Sequence, residues 1–167
     1  MKDLSQFVAE IQNFPKDGIL FRDISPLLRN HFPELIDQMV RLVESHKHHD
    51  VEYIAGIEAR GFIIGAAIAA AMNKGFLPVR KKGKLPPPTS SVNYDLEYGT
   101  DALEMHQGSG SVLIVDDVLA TGGTLAAAIE LCQITGYQVK GVTAVVNLSY
   151  LNNFKFENEV IPSLLTY

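Results

Sequence analysis

The stretch that most constrains this chain is Val112-Leu113-Ile114-Val115-Asp116-Asp117-Val118-Leu119-Ala120-Thr121-Gly122-Gly123-Thr124. Four branched apolar residues follow one another without alternation, as in a strand buried on both faces of a parallel sheet. Two adjacent carboxylates stand where that strand is expected to end. Small and hydroxyl residues come next, then Leu125, Ile129 and Cys132 at helical spacing. The order is strand, acidic tip, glycine-rich turn, helix. In open α/β sheets ligands collect at the carboxyl ends of strands. A glycine-rich turn into a helix N-terminus offers free backbone N–H groups and a partial positive charge, which suits a phosphate.

Two other phosphate motifs are excluded. No Lys-Ser/Thr pair follows the second glycine, as a Walker A loop requires, and no Gly-x-Gly-x-x-Gly opens the helix. The carboxylates of Asp116 and Asp117 therefore need another use. They can accept hydrogen bonds from vicinal ribose hydroxyls, directly or through a hydrated Mg²⁺. Ribose hydroxyls beside a cradled phosphate describe a ribose 5-phosphate site.

The rest of the chain alternates strands with helices. Residues 3–11 are expected to form a short amphipathic helix capped by Asp3, followed by an ordered apolar loop over 14–26 with Arg22 at its centre. Pro33 suits the first turn of a helix over 33–48. Its end, His46-Lys47-His48-His49-Asp50, reads as a solvated helix terminus rather than a metal site. Strands are expected at 53–57, 76–79, 139–148 and 164–167, and a buried helix at 61–72. Pro78 places its strand near an edge or bulge. Residues 81–91, rich in Lys, Pro and Ser, read as extended and mobile. They lead into a hairpin with arms 92–98 and 103–106 and a turn at 99–101. Gly136 ends the helix after the organising stretch. The expected fold is α/β, an open, mainly parallel sheet flanked by helices in one domain over 1–167.

Composition limits the function classes. The 167 residues carry a net charge of −5, which argues against non-specific nucleic-acid binding. One cysteine excludes a disulfide framework and a cysteine metal site. No apolar run is long enough to span a membrane, and no signal-peptide pattern is present, so a cytoplasmic setting is expected.

Gly56-Ile57-Glu58-Ala59-Arg60-Gly61-Phe62 is a second strand-end turn, with Arg60 placed just before a helix. An Arg and free N–H groups suit a diphosphate. Arg80, Lys81 and Lys84 add positive charge on the flexible segment.

Taken together, residues 56–62, 79–86, 94–101 and 115–124 resemble the adenine phosphoribosyltransferase family of type I phosphoribosyltransferases, as does Gly-Ile-Leu-Phe-Arg-Asp-Ile-Ser-Pro at 18–26. The resemblance implies the type I fold with a small hood, built from about residues 1–26 and the C-terminal segment, and an inserted flexible hairpin loop. It implies purine salvage, in which adenine and phosphoribosyl pyrophosphate (PRPP) give AMP and pyrophosphate with Mg²⁺. Leu20, Phe21 and Arg22 would hold adenine from the hood, and Leu148 would face the base from the other side. Asp116 and Asp117 would meet the ribose hydroxyls, and Ala120, Thr121, Gly122, Gly123 and Thr124 would cradle the 5-phosphate. Glu58, Ala59 and Arg60 would form the pyrophosphate loop, with a cis bond between the first two. Arg80, Lys81 and Lys84 would engage pyrophosphate, across the interface of a homodimer. Glu97 would be the catalytic carboxylate, acting through N7 as N9 loses its proton, with Tyr98 positioning the loop. Mg²⁺ would be held through PRPP and water, with no direct protein ligand. No nucleic acid or membrane partner is implied.

Two other readings share these motifs. One is a phosphoribosyltransferase for a 6-oxopurine, whose site is expected to offer a donor, often Lys, to the exocyclic oxygen. The other is a non-catalytic PRPP-sensing regulator, which is expected to carry a basic face or a nucleic-acid module. The connector 107–111 is shorter than is usual in the resembled family, and Pro86-Pro87-Pro88 stiffens the loop before the hairpin.

Overall fold

In the computed structural model, which describes residues 2–48, 50–96 and 99–167, the chain begins with a small antiparallel hairpin. Its strands are β1 (Ala9–Gln12) and β2 (Leu20–Asp23). The helix expected over 3–11 shrinks to a single 3-10 turn at Ser5–Phe7. Asp3 does accept the Ser5 N–H at 2.9 Å, and Leu4 and Val8 are buried. From Ala9 onward, however, pairing with β2 satisfies the backbone, and Ile11 stays on the surface. The loop expected over 14–26 likewise contains β2 and the start of α1 (Ser25–Asn30). Pro26 does not break structure there. It sits in the first turn, where its missing N–H costs nothing. Next is α2 (Phe32–Ser45), with Pro33 in its first turn as expected.

The alternation then runs through β3 (Tyr53–Ile57), α3 (Arg60–Ala71), β4 (Gly75–Lys81), β5 (Ser90–Leu96), β6 (Gly99–Met105), β7 (Gly110–Leu119), α4 (Gly123–Ile134) and β8 (Tyr137–Asn147). A two-residue pair, β9 (Lys155–Phe156) and β10 (Glu159–Val160), precedes β11 (Ser163–Thr166). Seven strands form the main sheet in the order β11-β8-β7-β3-β4-β6-β5. The pairs among β11, β8, β7, β3 and β4 are parallel, whereas β6 is antiparallel to both β4 and β5. Leu96 pairs with Gly99, so residues 99–101 belong to an arm of the hairpin and not to its turn. Pro78 faces Gly56 of β3, in the part of β4 that precedes its pairing with β6 at Arg80. Its missing N–H therefore removes no ladder bond there.

The uninterrupted apolar run of β7 is explained by its two covered faces. Leu113 and Val115 join the cluster under α1, α2 and α3, while Val112 and Ile114 join the cluster under α4. Leu113 and Ile114 are fully buried, each contributing about 1.5–3 kcal/mol on the usual scale for such side chains. Cys132 is packed within the α4 layer, where burial pushes its thiol up to about 12. No helix among the described residues is long and apolar enough to cross a membrane.

Small residues seat α3 directly on the sheet. A Cβ at Gly56 would lie 2.5 Å from the Gly61 carbonyl oxygen and 2.8 Å from the Phe76 ring. This close approach brings the first residue of α3, Arg60, over the ends of β3 and β7. Gly56→Ala is expected to cost about 1–3 kcal/mol through overpacking, read as a lowered midpoint in thermal unfolding. An unchanged midpoint would show that this contact does not fix the helix.

Candidate functional site

The parallel strands bring their carboxyl ends to one edge of the sheet. Ile57 of β3 is in register with Val79 of β4, and Gly56 with Val115 of β7. The turn at 58–60, the pair Arg80-Lys81 and the pair Asp116-Asp117 therefore emerge together. The strand expected to end at Val115 continues to Leu119, because β8 keeps pairing as far as Leu119 opposite Asn147 while β3 stops at Val115. The two carboxylates thus stand past the end of β3, with one flank free of a strand.

The turn after β7 has a geometry only glycine can meet. Gly122 has φ +94°, and a Cβ there would come within 2.7 Å of the Phe154 ring. α4 starts at the next residue, and its first-turn N–H groups lack intrahelical acceptors. A cavity of about 150 Å³ opens here, lined by Asp95, Val118, Leu119, Ala120, Thr121, Gly122, Thr124 and Leu125. Four of the five expected cradle residues line it. Gly123 instead sits at the helix start, close to the Asp95 carbonyl of β5.

Asp116 is only 7% exposed, and its Oδ1 accepts the Asp117 N–H at 2.9 Å. Burial lifts its pKa well above the usual carboxylate range, and the neighbouring Asp117 charge adds to the effect. Arg60 Nε approaches Asp117 Oδ2 at 2.6 Å, but no aligned hydrogen bond forms and that buried oxygen has no hydrogen-bond partner. A buried and a half-buried carboxylate with spare acceptor capacity suit hydroxyl donors and a hydrated divalent cation. Among the described residues no group of three His, Cys, Asp or Glu could hold a metal ion directly.

Arg60 stands where three elements meet. Besides Asp117, it lies 3.7 Å from Asp23 Oδ1 at the end of β2 and 5.7 Å from the Phe21 ring centre. Burial would raise Asp23, but the Ser25 hydroxyl and N–H, together with Arg60, leave its pKa below the usual value. The Glu58–Ala59 bond is cis, as the resemblance implied. Glu58 Oε2 accepts the Lys81 N–H at 2.9 Å and lies 3.3 Å from Arg80 Nε. These contacts outweigh the raising effect of burial and hold the carboxyl below its ordinary pKa.

Two of the three expected loop cations have carboxylate partners within the chain, and the third, Lys84, is held through its backbone. Arg80 pairs with Glu58 and donates to the Lys84 carbonyl at 3.1 Å. Lys81 Nζ is 3.0 Å from Asp101 Oδ2, which raises the ammonium pKa. Asp101 faces Tyr94 across the hairpin, and the Tyr94 hydroxyl lies near both Asp101 and Thr124. Polar side chains therefore lead from Lys81 through Asp101 and Tyr94 to Thr124 at the start of α4. Lys84 contributes its backbone N–H to Glu104 Oε1 at 2.6 Å, and Leu85 adds another at 2.7 Å. The segment expected to be mobile is thus pinned by a carboxylate that is 4% exposed.

On the other side of Arg60 lies a pocket of about 660 Å³. Leu20, Phe21, Arg22 and Leu148 all line it, as the resemblance implied, together with Pro15, Gly18, Ile19, Arg60, Val118, Ala120, Tyr150 and Leu151. The two cavities share Val118 and Ala120. Sequence reasoning missed Tyr150 and Leu151 on this wall. It also missed Asn152, whose Nδ2 donates to the carbonyls of Ala120 at 2.7 Å and Leu148 at 3.0 Å. These residues lie in a loop without periodicity, and an Asn there looks like any turn residue. Glu97 and Tyr98 lie outside the described residues.

Comparison with known proteins agrees with this geometry. Residues 30–153 match the model of the phosphoribosyl transferase domain. The adenine phosphoribosyltransferase of Bdellovibrio bacteriovorus is 51% identical over 170 aligned positions, spanning 99% of each chain. The crystal structure of the adenine phosphoribosyltransferase of Thermoanaerobacter pseudethanolicus superposes with a TM-score of 0.89 at 40% identity, covering 98% of each chain. That of Saccharomyces cerevisiae, complexed with an imino-altritol bisphosphate and adenine, gives 0.82 at 39% identity, over 89% of this chain and 88% of the other.

Glu104 provides a test of the pinned segment. Burial alone would raise its pKa, but N–H donors from Gly83, Leu85 and Lys84 and the Thr89 side chain hold it below the ordinary value. Its contribution is therefore present above that ordinary value and lost as pH falls through the lower folded one. Glu104→Gln is expected to speed tryptic cleavage after Lys82 and Lys84 by roughly tenfold or more near neutral pH, because charge-assisted hydrogen bonds weaken. An unchanged cleavage rate would show that other contacts hold the segment.

Proposed function

This chain belongs to the phosphoribosyltransferase family, and we propose that it transfers the 5-phosphoribosyl group of PRPP to N9 of adenine, giving AMP and pyrophosphate. One observation carries the reading. A pocket wide enough for a base, walled by Phe21 and Leu148, adjoins the helix-tip phosphate cradle through Val118 and Ala120, with Asp116, Asp117 and Arg60 beside the junction. A base, a ribose and a phosphate fit that order.

In the reaction N9 attacks C1 of the ribose, the C1–O bond breaks, its electron pair leaves with pyrophosphate, and adenine gives up its imidazole-ring proton. The cradle residues Ala120 to Thr124 anchor the 5-phosphate. Asp116 and Asp117 take the ribose hydroxyls, and their negative charge favours the cationic character that develops at C1. Arg60, already close to Asp117, is placed to exchange that partner for the diphosphate. Glu58 and Glu104 hold Arg80, Lys81 and Lys84 in one folded segment, so the cations reach the leaving group as a set. Asp116 and Asp117 would hold Mg²⁺ through water and the ribose hydroxyls, and the ion would neutralise charge on the pyrophosphate. Glu97 takes the proton from adenine through N7, and Tyr98 positions the closing loop. The proposal includes a homodimer, as the resemblance implies, and a cytoplasmic setting, consistent with the single buried cysteine.

A 6-oxopurine is disfavoured by the pocket lining, which contains no lysine among the described residues and whose two arginines are paired with carboxylates. A non-catalytic regulator is disfavoured by the net charge of −5. A spectrophotometric panel of purine bases with PRPP and Mg²⁺ tests the reading. Adenine is expected to exceed hypoxanthine by about a hundredfold or more in kcat/KM. Turnover of hypoxanthine but not adenine, or PRPP binding with no AMP formed, would overturn it. Glu97→Gln is expected to lower kcat by about a hundredfold with little change in KM, and an unchanged kcat would remove Glu97 from the mechanism.

A further inference from the structure

In the sequence Tyr167 is one residue of a short apolar strand segment, but in the fold it touches both walls of the base pocket. Its main chain is bonded to the two neighbours of Leu148. The Tyr167 N–H donates to the Asn147 carbonyl at 2.9 Å, and the Tyr167 carbonyl accepts the Ser149 N–H at 2.9 Å and the Ser149 hydroxyl at 2.7 Å. Its ring lies against the Arg22 guanidinium, 3.9 Å from Cζ to the ring centre. Arg22 belongs to the opposite wall, and its other partner is the Glu10 carboxylate of β1.

This contact matters because the β1–β2 hairpin pairs with no strand of the main sheet. No backbone ladder sets its distance from Leu148, so side-chain contacts must. Arg22 Nε is buried and finds no hydrogen-bond acceptor. The Tyr167 ring face and Glu10 are therefore what compensate a guanidinium whose side chain is only 14% exposed. Arg60 also touches the hairpin, 3.7 Å from Asp23, but it ties the hairpin to Asp117 of β7 and not to the segment around Leu148.

We propose that Tyr167 is a positioning residue that sets the separation of the two pocket walls, its ring holding Arg22 on the hairpin and its main chain holding the segment around Leu148. The inference rests on the reading that this pocket takes adenine. Removing the ring frees the hairpin wall while leaving the PRPP cradle on β7 and α4 intact. The loss falls on the base and spares the ribosyl donor.

Steady-state kinetics with each substrate varied in turn provide the test. Tyr167→Ala is expected to raise the adenine KM by about fivefold to tenfold, with the PRPP KM within about twofold of the parent. Tyr167→Phe keeps the ring face and is expected to restore parent values. Glu10→Gln, at a carboxylate that is 56% exposed, is expected to raise the adenine KM in the same direction by a smaller factor. An unchanged adenine KM in Tyr167→Ala, an equal rise in both KM values, or a Phe variant as poor as Ala would overturn the role. If Tyr167→Ala does not fold, Glu10→Gln decides alone, and an unchanged adenine KM there overturns it. A parent protein that does not turn over adenine removes the underlying reading and this one with it. A parent that does, with variants unchanged, removes only the role of Tyr167.

Discussion

Two carboxylates side by side at the end of a buried strand are unfavourable unless something answers their charge, and the site depends on that imbalance. Asp116 is buried, sits next to Asp117, and has its pKa raised by both circumstances. The fold tolerates it because β7 is covered on both faces and locked to β8 as far as Leu119. Arg60 compensates in part, held over Asp117 by the close seating of α3 on Gly56. What remains uncompensated is acceptor capacity aimed at a ligand that brings hydroxyl donors and a cation.

The other parts are arranged around that tip. The glycine turn and helix start supply the cradle proposed for the phosphate. The hairpin of β5 and β6 reaches it through Tyr94 and Thr124, and it carries Glu104 and Asp101, which hold the cationic segment. The small N-terminal hairpin supplies one wall of the pocket proposed for the base and is tied to the opposite wall through Arg22 and Tyr167. Arg60 joins these regions, because it touches both Asp23 and Asp117.

Much of this was legible in the residues themselves. The run 112–115, the carboxylate pair and the glycine turn specify strand, tip and cradle together, because each places its own physical demand on the backbone. Residues 20–22 and 148 were assigned by resemblance, and all four line one pocket. The N-terminal segment departs from its helical expectation, since Leu4, Phe7, Val8 and Ile11 have helical spacing but the backbone gains more from pairing Ala9–Gln12 with Leu20–Asp23. The hairpin turn was placed late because Gly99 looks like a turn residue and proves to be a strand partner of Leu96. Tyr94, Asp101, Asn152 and Tyr167 act through contacts distant in sequence, and local pattern carries no signal for them.

On the function proposed for this chain, the Asp116-Asp117 tip holds the ribosyl donor at a cost in stability. A raised carboxyl pKa means that the folded chain keeps a proton the unfolded chain has lost, so stability falls as pH rises through the window from the ordinary 3.8 toward the raised value. Thermal unfolding of Asp116→Asn near neutral pH, with and without PRPP and Mg²⁺, tests this directly. The account predicts a ligand-free midpoint about 2–4 °C higher for each kcal/mol relieved, together with a much smaller upward shift on adding PRPP than the parent shows. A lower ligand-free midpoint with an undiminished PRPP shift would contradict it.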